Sequence, residues 1–321
     1  MPRRRAIPGR SCPPHYGYSP AVFARPADLR TRSLFIVGGL YGNPFALETV
    51  LALARRENAT LVFNGDFNWF DADPVEFQTI NETVLKHAAL RGNVETEIAG
   101  EDEGAGCGCG YPEWVGDAEV ERSNRILECL RETARGFPGL RARLHDLPMH
   151  LVAQVGGLRI GIAHGDAESL AGWQFSQEAL REHPERAQAS LAGAGIDVFA
   201  CTHTCLPVMQ DFATPRGRVL IVNNGAAGMP NFRNTHFGLA TRIASRPSTD
   251  ALYGTRLGEM VVEAVPVRYD QEAWLARFDR VWPAGSPANL SYRKRIACGP
   301  AYDIEQALRI GAPTGALTRA A

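Results

Sequence analysis

Thr60-Leu61-Val62-Phe63-Asn64-Gly65-Asp66 is the stretch on which the reading of this chain turns. Thr60 to Phe63 form a short, apolar run without polar alternation, which predicts a strand buried on both faces. Asn64-Gly65 ends the run, and the freedom of glycine lets the backbone turn and present Asp66 at the strand's carboxyl end. The same pattern repeats outward. Leu34-Phe35-Ile36-Val37 is a second buried run ending at Gly38-Gly39. Pro44 to Arg56 has helical spacing in Phe45, Leu47, Val50, Leu51 and Leu53, and Val75 to His87 reads as a second helix. Ala88-Ala89-Leu90 then leads into Arg91-Gly92-Asn93. Strand, helix, strand, helix, strand within 95 residues predicts an α/β sheet with parallel pairs. Such sheets carry functional groups in the loops at the carboxyl ends of their strands.

Further along, residues 97–117 are rich in Glu and Gly and contain Cys107-Gly108-Cys109, which reads as a flexible loop. Glu119 to Arg135 is an amphipathic helix, and 97–145 as a whole reads as an insertion over one edge of a site. Leu151 to Val155 and Leu158 to Ala163 flank Gly156-Gly157 as a hairpin, ending at His164-Gly165-Asp166. Phe175 to Ala194 reads as helical. Asp197 to Ala200 is a buried strand ending at Thr202-His203-Thr204-Cys205. Arg218 to Asn223 is another strand, and Met260 to Val265 an edge strand. The expected division is an extended N-terminal arm over 1–32, a domain over 33–267, and a C-terminal helical extension and tail over 268–321.

The chain has 321 residues, 45% hydrophobic and 21% charged, the balance of a globular protein able to bury a large core. Its formal net charge is −1, which gives no global reason to expect nucleic-acid binding. There is neither a secretory leader pattern nor a long apolar run, so no membrane partner is expected. Seven cysteines without framework spacing fit a cytoplasmic setting with reduced thiols.

Four loops place metal-competent side chains just after apolar strands: Gly65-Asp66, Gly92-Asn93, His164-Gly165-Asp166 and Thr202-His203-Thr204-Cys205. A carboxylate can bridge cations, an amide offers a neutral oxygen and an imidazole a nitrogen. That mixed set suits Zn, Mn or Fe. Each loop alone is common, but four in order at the ends of one sheet system point to a shared site.

In order and local sequence these loops resemble the calcineurin-like metallophosphoesterase family, over about residues 33–245. Gly65-Asp66 matches its second motif, and Arg91-Gly92-Asn93-Val94-Glu95 a variant of its third. His164 matches the fourth, His203 the first histidine of the fifth, and Asn223-Asn224-Gly225-Ala226 resembles the segment that follows. The resemblance implies an α/β two-sheet sandwich flanked by helices, in α/β/β/α layers. It also implies a metal-activated water that attacks a phosphate ester, small or nucleotide-like. The departures lie in the first and fifth motifs. Gly39 stands where an Asp belongs, Tyr41 where a His belongs and Cys205 where the last His belongs. Carried over residue by residue, one ligand set is complete in Asp66, Asn93, His164 and His203. The other keeps only Asp66, with Tyr41 and Cys205 either as substitute ligands or as ordinary packing groups. One or two divalent or trivalent ions (Mn, Zn or Fe) are expected. The alternative is a non-catalytic metal- or ligand-binding regulatory protein that retains the fold.

By position, Asn43, Glu95, Asn224 and Arg233 are candidate substrate contacts, Asn231 a further phosphate contact, and Glu95 or His236 the nearest candidates for protonating a leaving group. Asp166 is a candidate to orient His164. Trp69 and Phe70 either wall the site or pack. Asp71 and Asp73 read as solvated or helix-capping carboxylates. His145, His150 and His183 carry no partner pattern.

Overall fold

Side chains alternate along a strand, so Leu34 and Ile36 face one way and Phe35 and Val37 the other. All four are buried, which requires packed layers on both sides. The computed structural model describes residues 7–101, 104–311 and 317–318. Its first regular elements are β1 (Leu29–Thr31), β2 (Ser33–Val37), α1 (Pro44–Glu57), β3 (Thr60–Asn64), α2 (Pro74–Val84), β4 (Ala88–Leu90) and α3 (Asn93–Ala99). Helices α4 (Asp117–Arg135) and α5 (Pro138–His145) precede the hairpin of β5 (His150–Val155) and β6 (Leu158–Ala163). Then come α6 (Gln177–Glu182), α7 (Pro184–Ala194), β7 (Val198–Cys201), β8 (Val208–Thr214) and β9 (Gly217–Asn223). After these lie β10 (Phe237–Ala244), β11 (Tyr253–Leu257), β12 (Met260–Arg268), α8 (Gln271–Val281), α9 (Pro287–Cys298), β13 (Leu308–Arg309) and β14 (Leu317–Thr318).

Two sheets form, the first in the order β14-β11-β12-β10-β2-β3-β4 and the second in the order β1-β5-β6-β7-β9-β8-β13. Strands β2, β3 and β4 run parallel, as do β6, β7 and β9. Leu34, Ile36 and Val62 of one sheet meet Ile160, Ile162, Val198 and Leu220 of the other in a shared core. On the outer face of the first sheet, Phe35 and Phe63 pack with Val50, Phe77, Ile126 and Trp274 of the helices. On the outer face of the second, Phe199 and Ile221 pack with Leu180 and Leu191. The result is the four-layer α/β/β/α sandwich that the motifs implied. Among the described residues, no helix is long and apolar enough to cross a membrane.

Several local expectations change. Of the arm expected over 1–32, the described residues 7–32 pack against the rest of the fold. Phe23 is fully buried and meets Phe199 edge to face at 5.0 Å, and β1 joins the second sheet parallel to β5. Phe175 to Ala194 is two helices, broken at His183-Pro184, where the proline ring and missing N–H end the first. Strand β12 lies inside its sheet, between β10 and β11, and does not form an edge. Asp73 caps α2 through the N–H groups of Val75 and Glu76. Asp71 is not solvated; it is buried 3.3 Å from Arg277.

Because Phe23 is held on all sides, Phe23→Ala should cost about 3–5 kcal/mol of unfolding free energy, the usual cost of emptying a core phenylalanine site. Urea unfolding measures this. An unchanged midpoint would mean that the segment is not held by the sheet.

Candidate metal centre

The parallel strands of both sheets end on one side, and their loops meet there. Asp66 follows β3, Asn93 opens α3 after β4, His164 follows β6 and His203 follows β7. All four are buried. His164 Nε2 lies 3.3 Å from Asp66 Oδ1 and 3.2 Å from Asn93 Oδ1, and His203 Nδ1 lies 3.2 Å from His164 Nε2. Ligand atoms of Asp66, His164 and His203 all fall within 4.8 Å of one another, a group able to hold a metal ion.

Hydrogen bonds around the cluster fix which atoms face inward. His164 Nδ1 sits 2.9 Å from the carbonyl of Asn64, and His203 Nε2 sits 2.9 Å from that of Cys109. A carbonyl only accepts, so both nitrogens carry hydrogen, and the opposite ring nitrogens are bare when the rings are neutral. Asn93 Nδ2 donates to the carbonyl of Cys107 at 2.9 Å, which turns Oδ1 inward. Four acceptor atoms thus converge: a carboxylate oxygen, an amide oxygen and two imidazole nitrogens. Acceptors at such distances repel unless a cation or a proton lies between them. The donor set is two oxygens and two nitrogens, which fits Mn, Zn or Fe.

The electrostatics agree. Burial lowers the pKa of His164, but the Asp66 carboxylate outweighs it and the net shift is upward. Burial together with the charge of His164 drops His203 to about 4. Burial works against the charge of Asp66, yet the two histidines hold its carboxyl below the ordinary range. Of the four groups, His164 is the one whose positively charged form the surroundings favour.

Comparison with known proteins follows this geometry. No family model matches the chain, and no curated protein matches it. Solved structures do match. Hypothetical protein PH1004 from Pyrococcus horikoshii OT3 is 17% identical, with a TM-score of 0.56 over 84% of this chain and 99% of that one. A metallophosphoesterase from Sphaerobacter thermophilus is 18% identical, with a TM-score of 0.53 over 84% of this chain and 100% of that one. The fold is a metallophosphoesterase fold. At these identities the likeness is one of fold.

Within that metallophosphoesterase fold, the residues at the first and fifth motifs sit together. Tyr41 Oη lies 2.8 Å from Cys205 Sγ. Gly39 has φ +62°, and a Cβ on it would lie 3.0 Å from Tyr41 Cζ, so the tyrosine ring fills the space a side chain at 39 would need. Burial, with the nearby Cys205 and Asp66, pushes the Tyr41 hydroxyl well above its ordinary pKa, and burial raises the Cys205 thiol. Cys205 is not part of the Asp66–His164–His203 group.

Other candidates have different jobs. Glu95 is fully buried and touches no cleft. Its carboxylate accepts from the N–H groups of Asp66, Phe67, Asn68 and Gly92 and from Asn68 Nδ2, at 2.7 to 3.2 Å. Asn43 caps α1 and donates to the carbonyl of Gly228. Asn224 donates to the carbonyls of Gly38 and Leu239, and Asn231 braces the Ala226 backbone. Arg233 is exposed and paired with Asp303 at 2.9 Å, and His236 is exposed. Asp166 leaves His164 alone and receives the N–H groups of Glu168, Ser169 and Gln174. His145 and His183 are exposed beside Asp146 and Glu185, and His150 contacts Arg25.

A cleft of about 390 Å³ opens beside the centre, lined in part by Asp66, Asn93, His203, Tyr41 and Cys205. Trp69 lines it, whereas Phe70 packs against Phe278 in the core. Arg295 also lines it, a cation the motifs gave no means of finding because it lies on α9, far along the chain. The Gly-rich segment 104–110 is not a free loop either. Cys107 and Cys109 are buried, and their carbonyls hold Asn93 and His203.

The five donors on Glu95 yield an expected outcome. Glu95→Gln replaces an acceptor oxygen with a donor facing N–H groups. It should lower the unfolding free energy by about 1–3 kcal/mol per unsatisfied group. Denaturant titration checks this, with Glu95→Asp as a control that keeps the charge. Equal stability of wild type and Glu95→Gln would show that the carboxylate does not clamp the loops.

Proposed function

We propose that this chain is a metal-dependent phosphoesterase working with a single ion held by Asp66, Asn93, His164 and His203. The observation that carries the reading is the convergence of four metal-competent atoms, two oxygens and two imidazole nitrogens turned inward by backbone carbonyls, at the carboxyl ends of parallel strands in a metallophosphoesterase fold. What a bound cation supplies at such a centre is Lewis acidity toward water and toward a phosphoryl oxygen.

The chain's own groups account for the rest. His164 and His203 are held in one tautomer each by backbone carbonyls, so no reorientation is needed on binding. Arg295 spends its hydrogen bonds on the carbonyls of Pro230 and Cys205, which leaves its positive charge available to a phosphate. Tyr41, still protonated, offers a hydroxyl donor on the same cleft. The ring of Tyr41 against Gly39 favours one ion over two. The same observation favours the second reading, a non-catalytic binding protein, since a lone ion loses half of a two-metal clamp.

Metal analysis with turnover assays separates these. Full-length protein reconstituted with Mn, Zn or Fe should hold one ion per chain and hydrolyse bis-p-nitrophenyl phosphate or p-nitrophenyl phosphate. His164→Ala and His203→Ala should each weaken metal binding about 100-fold or more, since even partners behind a ligand contribute 10–100-fold. A bound ion with no turnover of either ester establishes the binding protein instead, and two ions per chain refutes the single-ion centre.

The proton on His164 gives a pH signature. His164 has a raised pKa, so its proton must leave before an ion enters, and affinity should fall as pH drops through that pKa. Asp66 is lowered and His203 sits at about 4, so neither competes near neutrality. Calorimetry in buffers of different ionisation enthalpy should find protons released on ion binding, more of them below the raised pKa of His164 than above it. Asp66→Asn should reduce that number, and zero release in the wild type contradicts the assignment.

A further inference from the structure

The cleft beside the centre has a wall that neither the ligand set nor the fold requires. Six aromatic side chains line it: Tyr41, Trp69, Tyr111, Trp114, Trp173 and Tyr292. Two of them, Trp173 and Trp114, continue outward from His203 as a file. Trp173 meets the ring of His203 at 5.5 Å, and Trp114 meets Trp173 at 5.4 Å and 84°. Burial falls along that file, from His203 at 6% exposed to Trp114 at 63%. An indole held open to water at the mouth of a cleft, while its neighbours are covered, is an unsatisfied apolar surface. Tyr111 packs on Trp173 at 5.9 Å, and Trp173 Nε1 donates to the carbonyl of Cys109, so the inner indole is fixed in place.

From this we infer that the cleft binds a phosphate ester bearing a flat aromatic ring, the ring stacked on Trp114 at the mouth with its edge toward Trp173, and the phosphate directed inward. The phosphate end rests on the phosphoesterase reading; the ring end rests on the indoles alone. Charge sets the orientation. The cation Arg295 and the acceptor cluster lie on the same cleft, whereas Glu119 and Glu178 add two carboxylates to its lining, with Glu119 exposed. Those carboxylates disfavour a chain of further phosphates. At about 390 Å³ the cleft suits one small ligand, near the lower end of the roughly 300–1,000 Å³ range of ligand sites.

Equilibrium binding to the metal-free full-length protein tests the ring site without any turnover. Adenosine 5′-monophosphate and ribose 5-phosphate differ only by the base. Stacking on an aromatic side chain predicts that the first binds roughly 5- to 100-fold more tightly. Trp114→Ala should abolish that difference and leave ribose 5-phosphate unchanged, while Trp114→Phe should retain most of it. Quenching of tryptophan fluorescence by adenosine alone should follow the same order. Equal binding of the two phosphates, or a difference that survives Trp114→Ala, overturns the ring site. Loss of turnover in the reconstituted protein leaves this measurement intact, so failure of the phosphoesterase reading is separately visible.

Discussion

Two loops that come from different strands must be locked together before any metal centre can exist here, and the carboxylate of Glu95 does the locking. It sits one turn into α3 and gathers N–H groups from Asp66, Phe67 and Asn68 on one loop and Gly92 on the other. The approach is close. A Cβ on Gly92 would lie 2.3 Å from Asp66 Oδ1, and one on Gly65 would lie 2.6 Å from both Gly92 N and His164 Nδ1. Only glycine fits at either place, and Gly65 also turns through φ +76°. Asp66 and Asn93 therefore occupy their positions because backbone from two crossovers is clamped around one buried carboxyl group, whose pKa burial and the nearby Asp66 push up to about 7. A buried carboxylate is stable only when its lone pairs are met, and five donors meet them.

The second constraint comes from the segment that closes over the centre. The Cys109 carbonyl accepts from both His203 Nε2 and Trp173 Nε1, and the Cys107 carbonyl accepts from Asn93 Nδ2. One backbone stretch thereby sets the tautomer of one histidine, the direction of one amide and the place of one indole in the cleft wall. It achieves this because Gly106, Gly108 and Gly110 all adopt positive φ. The packing is tight around Gly108, where a Cβ would meet Tyr16 Oη at 2.5 Å. That tyrosine comes from the N-terminal segment and donates to Glu97, so the start of the chain buttresses the cover over the site.

These relations explain what the sequence could reveal. Runs such as Leu34–Val37 and Thr60–Phe63 are apolar throughout because both faces of those strands are buried, and they announced the sheets. Strand β10 stayed hidden because Arg242 sits within it, buried and paired with Glu57 and Glu263. The packing of residues 7–32 was hidden by their prolines, which suppress any periodic signal. Of the site, the four converging side chains were legible from their order after strands. The clamp and the cover were not. Glu95 looked like a substrate contact because a carboxylate in a motif invites a chemical role, and the carbonyls of Cys107 and Cys109 carry no residue signature at all. Arg295 and the indoles reach the cleft from distant parts of the chain, and only the fold brings them there.

The departures at Gly39, Tyr41 and Cys205 weigh differently once their geometry is considered together. Tyr41, Asp66 and Cys205 hold φ of +55°, +51° and +62°, and all three line the same cleft. Each non-glycine residue in that region costs of order 1–3 kcal/mol. Glycine or asparagine at 41 and 205 would hold such angles at less cost. Instead the small residue stands at 39, where it admits the Tyr41 ring, and the tyrosine hydroxyl is met by the Cys205 thiol. The groups at the three positions fit one another. The strain at the cleft is thus held in place locally, by a ring seated against Gly39 and a thiol that meets its hydroxyl, beside an acceptor cluster whose tautomers are fixed from behind.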